Sequence, residues 1–220
     1  MRPAFYALRP GGWRDYVTLL HPPYTLWHLS YIAVGAGLAP RLDGTRLGAT
    51  FGAFALALGV GAHALDELRG RPLATAIPAP VLVGLAAASI AGAAALGIAV
   101  AASFSLWLLV FVGAGSFLVV AYNLELAGFH TDLWFGLAWG AFPVLTAYFA
   151  MVGQLRGEAV AGAVFATIFS LAQRALSTPV RDARRRGGDP ALLEPAERAL
   201  RLLTLAAVAL GGALLLSHLR

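Results

Sequence analysis

The stretch His63-Ala64-Leu65-Asp66-Glu67-Leu68-Arg69-Gly70-Arg71-Pro72-Leu73 decides how the rest of the chain is read. It closes one long apolar run and precedes another. Its first nine residues carry one imidazole, two carboxylates and two guanidinium groups in a chain that is only 12% charged. Charges beside an apolar span are costly unless they are paired or used. On a helix, His63, Asp66 and Glu67 stand at i, i+3 and i+4 and share one face. Gly70-Arg71-Pro72 then ends the helix and turns the chain.

The flanking runs belong to a chain of 220 residues that is 59% apolar, with a mean hydropathy of +0.75. A soluble domain is nearer half apolar and a quarter charged, so the sequence reads as one polytopic integral membrane domain over residues 1–220. There is no cysteine, which excludes disulfides, iron–sulfur clusters and thiolate zinc sites. All sixteen basic residues are arginine, which excludes Schiff-base chemistry and a phosphate-loop lysine. In a membrane protein the basic balance reads as topology and contact with anionic lipid, with no nucleic-acid partner. No signal-peptide core precedes Trp13.

A membrane-crossing helix needs about 20 apolar residues. On that template seven segments stand out, roughly 24–40, 46–66, 79–100, 103–122, 132–152, 157–174 and 199–217. The third and fourth are joined by almost nothing polar, so they form an antiparallel hairpin. Residues 191–198 read as a short amphipathic helix before the last span. Gly48-x-x-x-Gly52 and Gly136-x-x-x-Gly140 are spacings for close helix packing. With seven spans and a cytoplasmic N-terminus, the cytoplasmic side receives Arg2, Arg9, Arg14, Arg69, Arg71, Arg174, Arg181, Arg184, Arg185, Arg186, Arg198 and Arg201, twelve in all. The outer side receives Arg41, Arg46, Arg156 and Arg220, four in all. This is a positive-inside pattern, expected for a prokaryotic cytoplasmic membrane. It puts the loops 63–78, 123–132 and 174–198 on the cytoplasmic face.

Two constellations follow from that placement. The first is a metal set, His63, Asp66, Glu67, Glu125, His130 and Asp132. Mixed imidazole and carboxylate ligands suit zinc, manganese or iron. The second is an anion set, Arg69, Arg71, Arg181, Arg184 and Asn123, because guanidinium forks take diphosphate bidentately. The plainer alternative for both is helix-end polar groups paired with each other and touching phospholipid. His28, inside the first span, and His21 before it are secondary candidates. Ser116, mid-helix without a base nearby, reads as packing.

The pattern resembles the UbiA superfamily of membrane prenyltransferases. The resemblance rests on Tyr16 to Leu26 leading into the first span and on His63 to Leu73 with its Arg71-Pro72-Leu73. It rests also on Tyr122-Asn123-Leu124-Glu125 followed by Asp132 and Gly136-Leu137-Ala138-Trp139-Gly140. It covers most of residues 14–186. The chain departs from it in having room for seven helices where the family has about nine. It also carries His63-Ala64 where the family has Asn-Asp, and it keeps only Asp182 of the second aspartate-rich motif.

The resemblance implies an all-α, UbiA-like membrane bundle that transfers a prenyl group from an isoprenoid or other lipid diphosphate to a hydrophobic acceptor. Asp66, Glu67 and Glu125 would hold Mg²⁺ as the catalytic set, and Asn123, Arg69, Arg71 and Arg181 would bind the diphosphate. Two alternatives stay open. One is a membrane metalloenzyme whose His/carboxylate centre of zinc, manganese or iron does redox or hydrolytic chemistry. The other is a non-catalytic scaffold that binds membrane lipid or a partner.

Overall fold

The computed structural model describes residues 4–219 and is all-helical, with no strand among the described residues. A short helix α1 (Trp13–Leu19) precedes α2 (Pro22–Gly37) and α3 (Gly44–Leu68). There follow α4 (Ala79–Ser103), α5 (Leu108–Asn123), α6 (Asp132–Val152), α7 (Gly157–Arg185) and α8 (Pro190–Leu216), which ends in a 3₁₀ turn Ser217–Leu219. Five of these, α3, α4, α6, α7 and α8, are long and apolar enough to cross a membrane. α2 and α5 each have 16 residues.

Local chemistry sets the boundaries. Pro22 opens α2 at the position where a missing N–H costs nothing. Asp43 caps α3 by accepting from Arg46 N, Thr131 Oγ1 caps α6 by accepting from Trp134 N, and Asp189 caps α8 by accepting from Ala191 N. α6 stops at Gly153, whose φ of 77° suits the left-handed residue after a helix.

The chain reverses at every turn, so α2 to α8 run alternately up and down. One end gathers the Arg69–Glu125, Arg174–Asp132 and Arg184–Glu197 pairs. The other gathers His218 Nε2 on Gly37 O and Arg46 over the Phe104 ring. The arginines sort with this alternation. The first end holds Arg69, Arg71, Arg174, Arg181, Arg184, Arg185, Arg186, Arg198 and Arg201, with Arg9 and Arg14 leading in, and the second holds Arg41, Arg46 and Arg156. Arg2 and Arg220 lie outside the described residues.

α2 is the centre of the bundle, and nearly every residue from Trp27 to Gly37 is buried. A helix apolar all round belongs in a core. Its contact with α6 is backbone-close: a Cβ on Gly35 would lie 2.2 Å from Val144 O. The Gly136/Gly140 pair packs on α7, where a Cβ on Gly140 would meet Ala166 O at 2.6 Å. Gly48 faces open space instead, so the other small-residue pair is only half used. α4 and α5 form the expected hairpin, with Gly97 against Val112.

Three boundaries differ from the sequence reading. The sixth segment continues as helix to Arg185, eleven residues past the expected end at 174. Residues 191–198 are not a separate helix but the first turns of α8. The 174–198 loop thereby shrinks to 186–189. Arginine and alanine are good helix formers, and α7 and α8 hold each other through Arg184 Nε on Glu197, 2.5 Å apart and largely buried.

Candidate functional site

A cavity of about 350 Å³ opens among the ends of α2, α3, α5, α6 and α7 at the arginine-rich end. It collects His63, Asp66 and Arg69 from α3 and the turn after it, Asn123 and Glu125 from the end of α5, and His130 from the loop before α6. From α7 come Arg174, Thr178, Arg181, Asp182 and Arg185. Those five share a face because they stand at spacings of four, three, one and three residues along one helix. A helix of 29 residues is about 43 Å long, more than the roughly 30 Å hydrocarbon core. The last turns of α7 therefore carry their arginines beyond the apolar zone and over the cavity.

The candidates from the sequence separate into three groups. Asp66, His63, Arg69, Asn123, Glu125, His130 and Arg181 line the cavity together. Asp66 makes no ion pair among the described residues. Arg69 Nη2 donates to Glu125 Oε2 at 3.0 Å across the cavity mouth, and that hydrogen bond holds the Glu125 carboxyl below the usual carboxylate range.

The second group is turned away. Glu67 is fully buried and accepts from Leu73 N at 3.0 Å, Thr75 N at 2.8 Å and Thr75 Oγ1 at 2.9 Å. It holds the 69–78 loop. Arg71 donates to Ile77 O at 2.6 Å and to Thr75 O at 3.3 Å, tying down the same loop. Arg184 is committed to Glu197. Asp132 is exposed and pairs with Arg174 Nε at 2.5 Å. The expected roles of Glu67 and Asp132 as metal ligands, of Glu67 as a catalytic group, and of Arg71 and Arg184 as anion donors are corrected accordingly. The helical-face argument for Glu67 failed because the loop folds back onto it.

The metal set as a whole is not assembled. Among the described residues no three His, Asp or Glu side chains meet in a group that could hold a metal ion. Two residues are already taken by arginines, one by the loop, and the imidazoles face different walls.

The third group was underweighted. His28, on α2, lines the cavity, with Nδ1 2.8 Å from Trp139 O. Arg174 Nη1 donates to Tyr122 Oη at 2.6 Å. His21 stacks on His63 with ring centroids 4.8 Å apart, and Tyr6 Oη lies against its ring nitrogens. Burial there holds the His21 imidazole well below its usual pKa and raises that of the Tyr6 phenol. The signal for Arg174 was its register with Arg181 and Arg185, legible once α7 is drawn through residue 185.

No family model, curated protein or solved structure matches the chain.

Both α3 and α6 contain a π-helical segment, Ala55–Ala62 and Leu137–Ala141, a local widening common at functional sites. Each presents a carbonyl to an imidazole at the cavity wall: Gly59 O to His63 Nδ1 at 3.1 Å and Trp139 O to His28 Nδ1. Beneath the polar cavity lies a second, apolar chamber between α3, α4, α5 and α6. Ala53, Ala57, Ala93, Gly97, Gly115 and Ala138 give it width, and Phe111 and Phe142 narrow it. Leu58 and Trp139 line both spaces. On α6 the chamber runs from Trp139 to Ala150, about 16 Å at 1.5 Å per residue.

Proposed function

We propose that the protein binds an amphipathic lipid carrying a phosphate or diphosphate head, and that it transfers the isoprenoid chain of that lipid to a second, hydrophobic substrate. The observation that carries this reading is the shared wall at Leu58 and Trp139, which lines both an arginine-rich cavity and an apolar chamber beside it. A charged head needs paired donors, and an alkyl or isoprenoid tail needs small-residue space. Here the two lie end to end.

In this reading Arg181, Arg185 and Arg69 take the head through charge-assisted hydrogen bonds. The reacting C–O bond sits at the junction, and charge developing on the departing diphosphate is met by guanidinium groups already in place. Trp139, Tyr24, Phe135 and Leu58 keep water from the reacting carbon. Asp66 and Asp182 are the cavity carboxylates outside any ion pair among the described residues. They are oxygen donors of the kind that hold Mg²⁺ together with phosphate oxygens. Bound there, the ion would neutralise charge on the diphosphate.

Seven crossings with the cavity and the N-terminus on the cytoplasmic side belong to the same reading. What supports them is the alternation of α2 to α8 and the gathering of arginines at the cavity end. The UbiA-like resemblance of the 63–73 and 122–140 stretches agrees with a prenyl-transfer assignment.

The test uses purified full-length protein in nanodiscs with farnesyl diphosphate and Mg²⁺, following binding and chain transfer to lipid-extract acceptors. Asp66→Ala and Arg181→Ala should each lower transfer at least tenfold. Transfer that is unchanged in both variants would sink the assignment.

A further inference from the structure

The cavity has a feature that a head-group site does not need. His28, His63 and His130 stand on three separate segments, and each has its Nδ1 at hydrogen-bond distance from a main-chain carbonyl: Trp139 O at 2.8 Å, Gly59 O at 3.1 Å and Tyr122 O at 3.0 Å. A carbonyl can only accept, so each Nδ1 carries the proton, and in a neutral ring the lone pair is left on Nε2. All three rings line the same cavity. In its neutral form each ring therefore offers Nε2 as an acceptor to the cavity, and an acceptor suits a ligand that donates.

His28 is the one that lies beside the shared wall. It is 5% exposed and has no Nε2 partner among the described residues, yet it lines the cavity. Its Nδ1 is held by Trp139, which with Leu58 lines both the polar cavity and the apolar chamber. Tyr24, Tyr31, Phe135 and Trp139 surround its ring, with centroids 6.1 to 6.3 Å away. In the lipid-diphosphate reading, the carbon bearing the head group lies at this junction.

We propose that His28 is the general base of this site and that the second substrate attacks through a hydroxyl group. The inference rests on the lipid-diphosphate reading. Nε2 accepts the proton of the acceptor O–H, and the electron pair of that bond forms the new C–O bond to the lipid carbon. The C–O bond to the diphosphate breaks, and its pair leaves with the diphosphate, which then recovers the proton from the imidazolium. The products are an ether and a protonated diphosphate. His28 touches the reacting hydroxyl, and Trp139 O is its positioning group.

The test uses full-length protein in nanodiscs with farnesyl diphosphate as the lipid. Diphosphate release is measured with water alone and with added benzyl alcohol. His28→Asn keeps an N–H for Trp139 O and removes the base. The expected result is binding within twofold of wild type, release slowed at least 100-fold, and partial recovery with free imidazole. Unchanged release in His28→Asn overturns the proposal. Wild-type binding without hydroxyl-dependent release overturns it too but leaves the head-and-tail reading standing. Failure of wild type to bind farnesyl diphosphate overturns both. If His28→Asn does not fold, wild-type protein acylated with diethyl pyrocarbonate decides the matter. Release that stops with modification of His28 supports the base, and release that persists overturns it.

Discussion

Arg69 and Glu125 join across the mouth of the polar cavity, Nη2 to Oε2 at 3.0 Å, although 56 residues separate them. About half of each side chain is exposed, so the pair contributes less than about 1 kcal/mol to stability. Its consequence is for ligands. The carboxylate occupies a guanidinium that an anionic head would otherwise take. Glu125→Gln should tighten inorganic diphosphate binding about threefold, and Arg69→Ala should weaken it about tenfold. Isothermal titration of both variants checks this. Equal affinity in the two would show that the pair is only a surface contact.

Asp66 and Glu67 are neighbours in sequence with opposite tasks. Glu67→Ala strips the acceptor from two buried N–H groups and one hydroxyl in the 73–75 turn. Each of these three orphaned donors costs about 1–3 kcal/mol, so the variant should lose about 3–9 kcal/mol and unfold well below wild type. Asp66→Ala removes a carboxylate with no ion pair among the described residues and should stay within about 1 kcal/mol of wild type. Denaturant unfolding in detergent micelles separates the two.

The contrast shows where the sequence stops being informative. Both residues stand on the cavity-facing side of an ideal helix, and only the return of the 69–78 loop onto Glu67 separates them. That return is tertiary and leaves no local signature. The seven apolar segments were legible from their composition, and each became a helix, five of them long and apolar enough to cross a membrane. The end of α7 was misplaced because charge was read as loop, although arginine continues a helix well. The π segments, which aim Gly59 O and Trp139 O at His63 and His28, follow from packing, and nothing in their composition announces them. The place of His28 on the cavity wall was hidden for a related reason. A single histidine in an apolar span reads as packing until the cavity beside it is seen.

The Tyr6–His21–His63 cluster makes stability depend on pH. Burial holds His21 well below its usual pKa, so the folded state resists a proton that the unfolded chain binds below about pH 6.5. Stability is then complete above pH 6.5. It falls as the pH drops below that value, by up to about 1.4 kcal/mol per pH unit from this group, until the folded-state pKa is reached. Thermal unfolding from pH 8 to pH 5 should show that decline, and His21→Gln should lessen its slope. A variant that keeps the wild-type slope would move the dependence to another group.

The apolar chamber can be tested apart from the head site. Ala57 lines it on α3, next to Leu58 at the junction end. Phenylalanine there fills space that a tail would occupy and leaves the arginines of the cavity untouched. Each methylene kept out of the chamber forfeits about 0.8 kcal/mol, so excluding four or more lowers affinity at least 100-fold. Ala57→Phe should therefore bind farnesyl diphosphate at least 100-fold more weakly than wild type while inorganic diphosphate binds as before. Competition between the two ligands measures both affinities on one sample. Loss of both together would mean that the bundle itself had shifted. Loss of neither would place the tail outside, against the lipid-facing surface of α4.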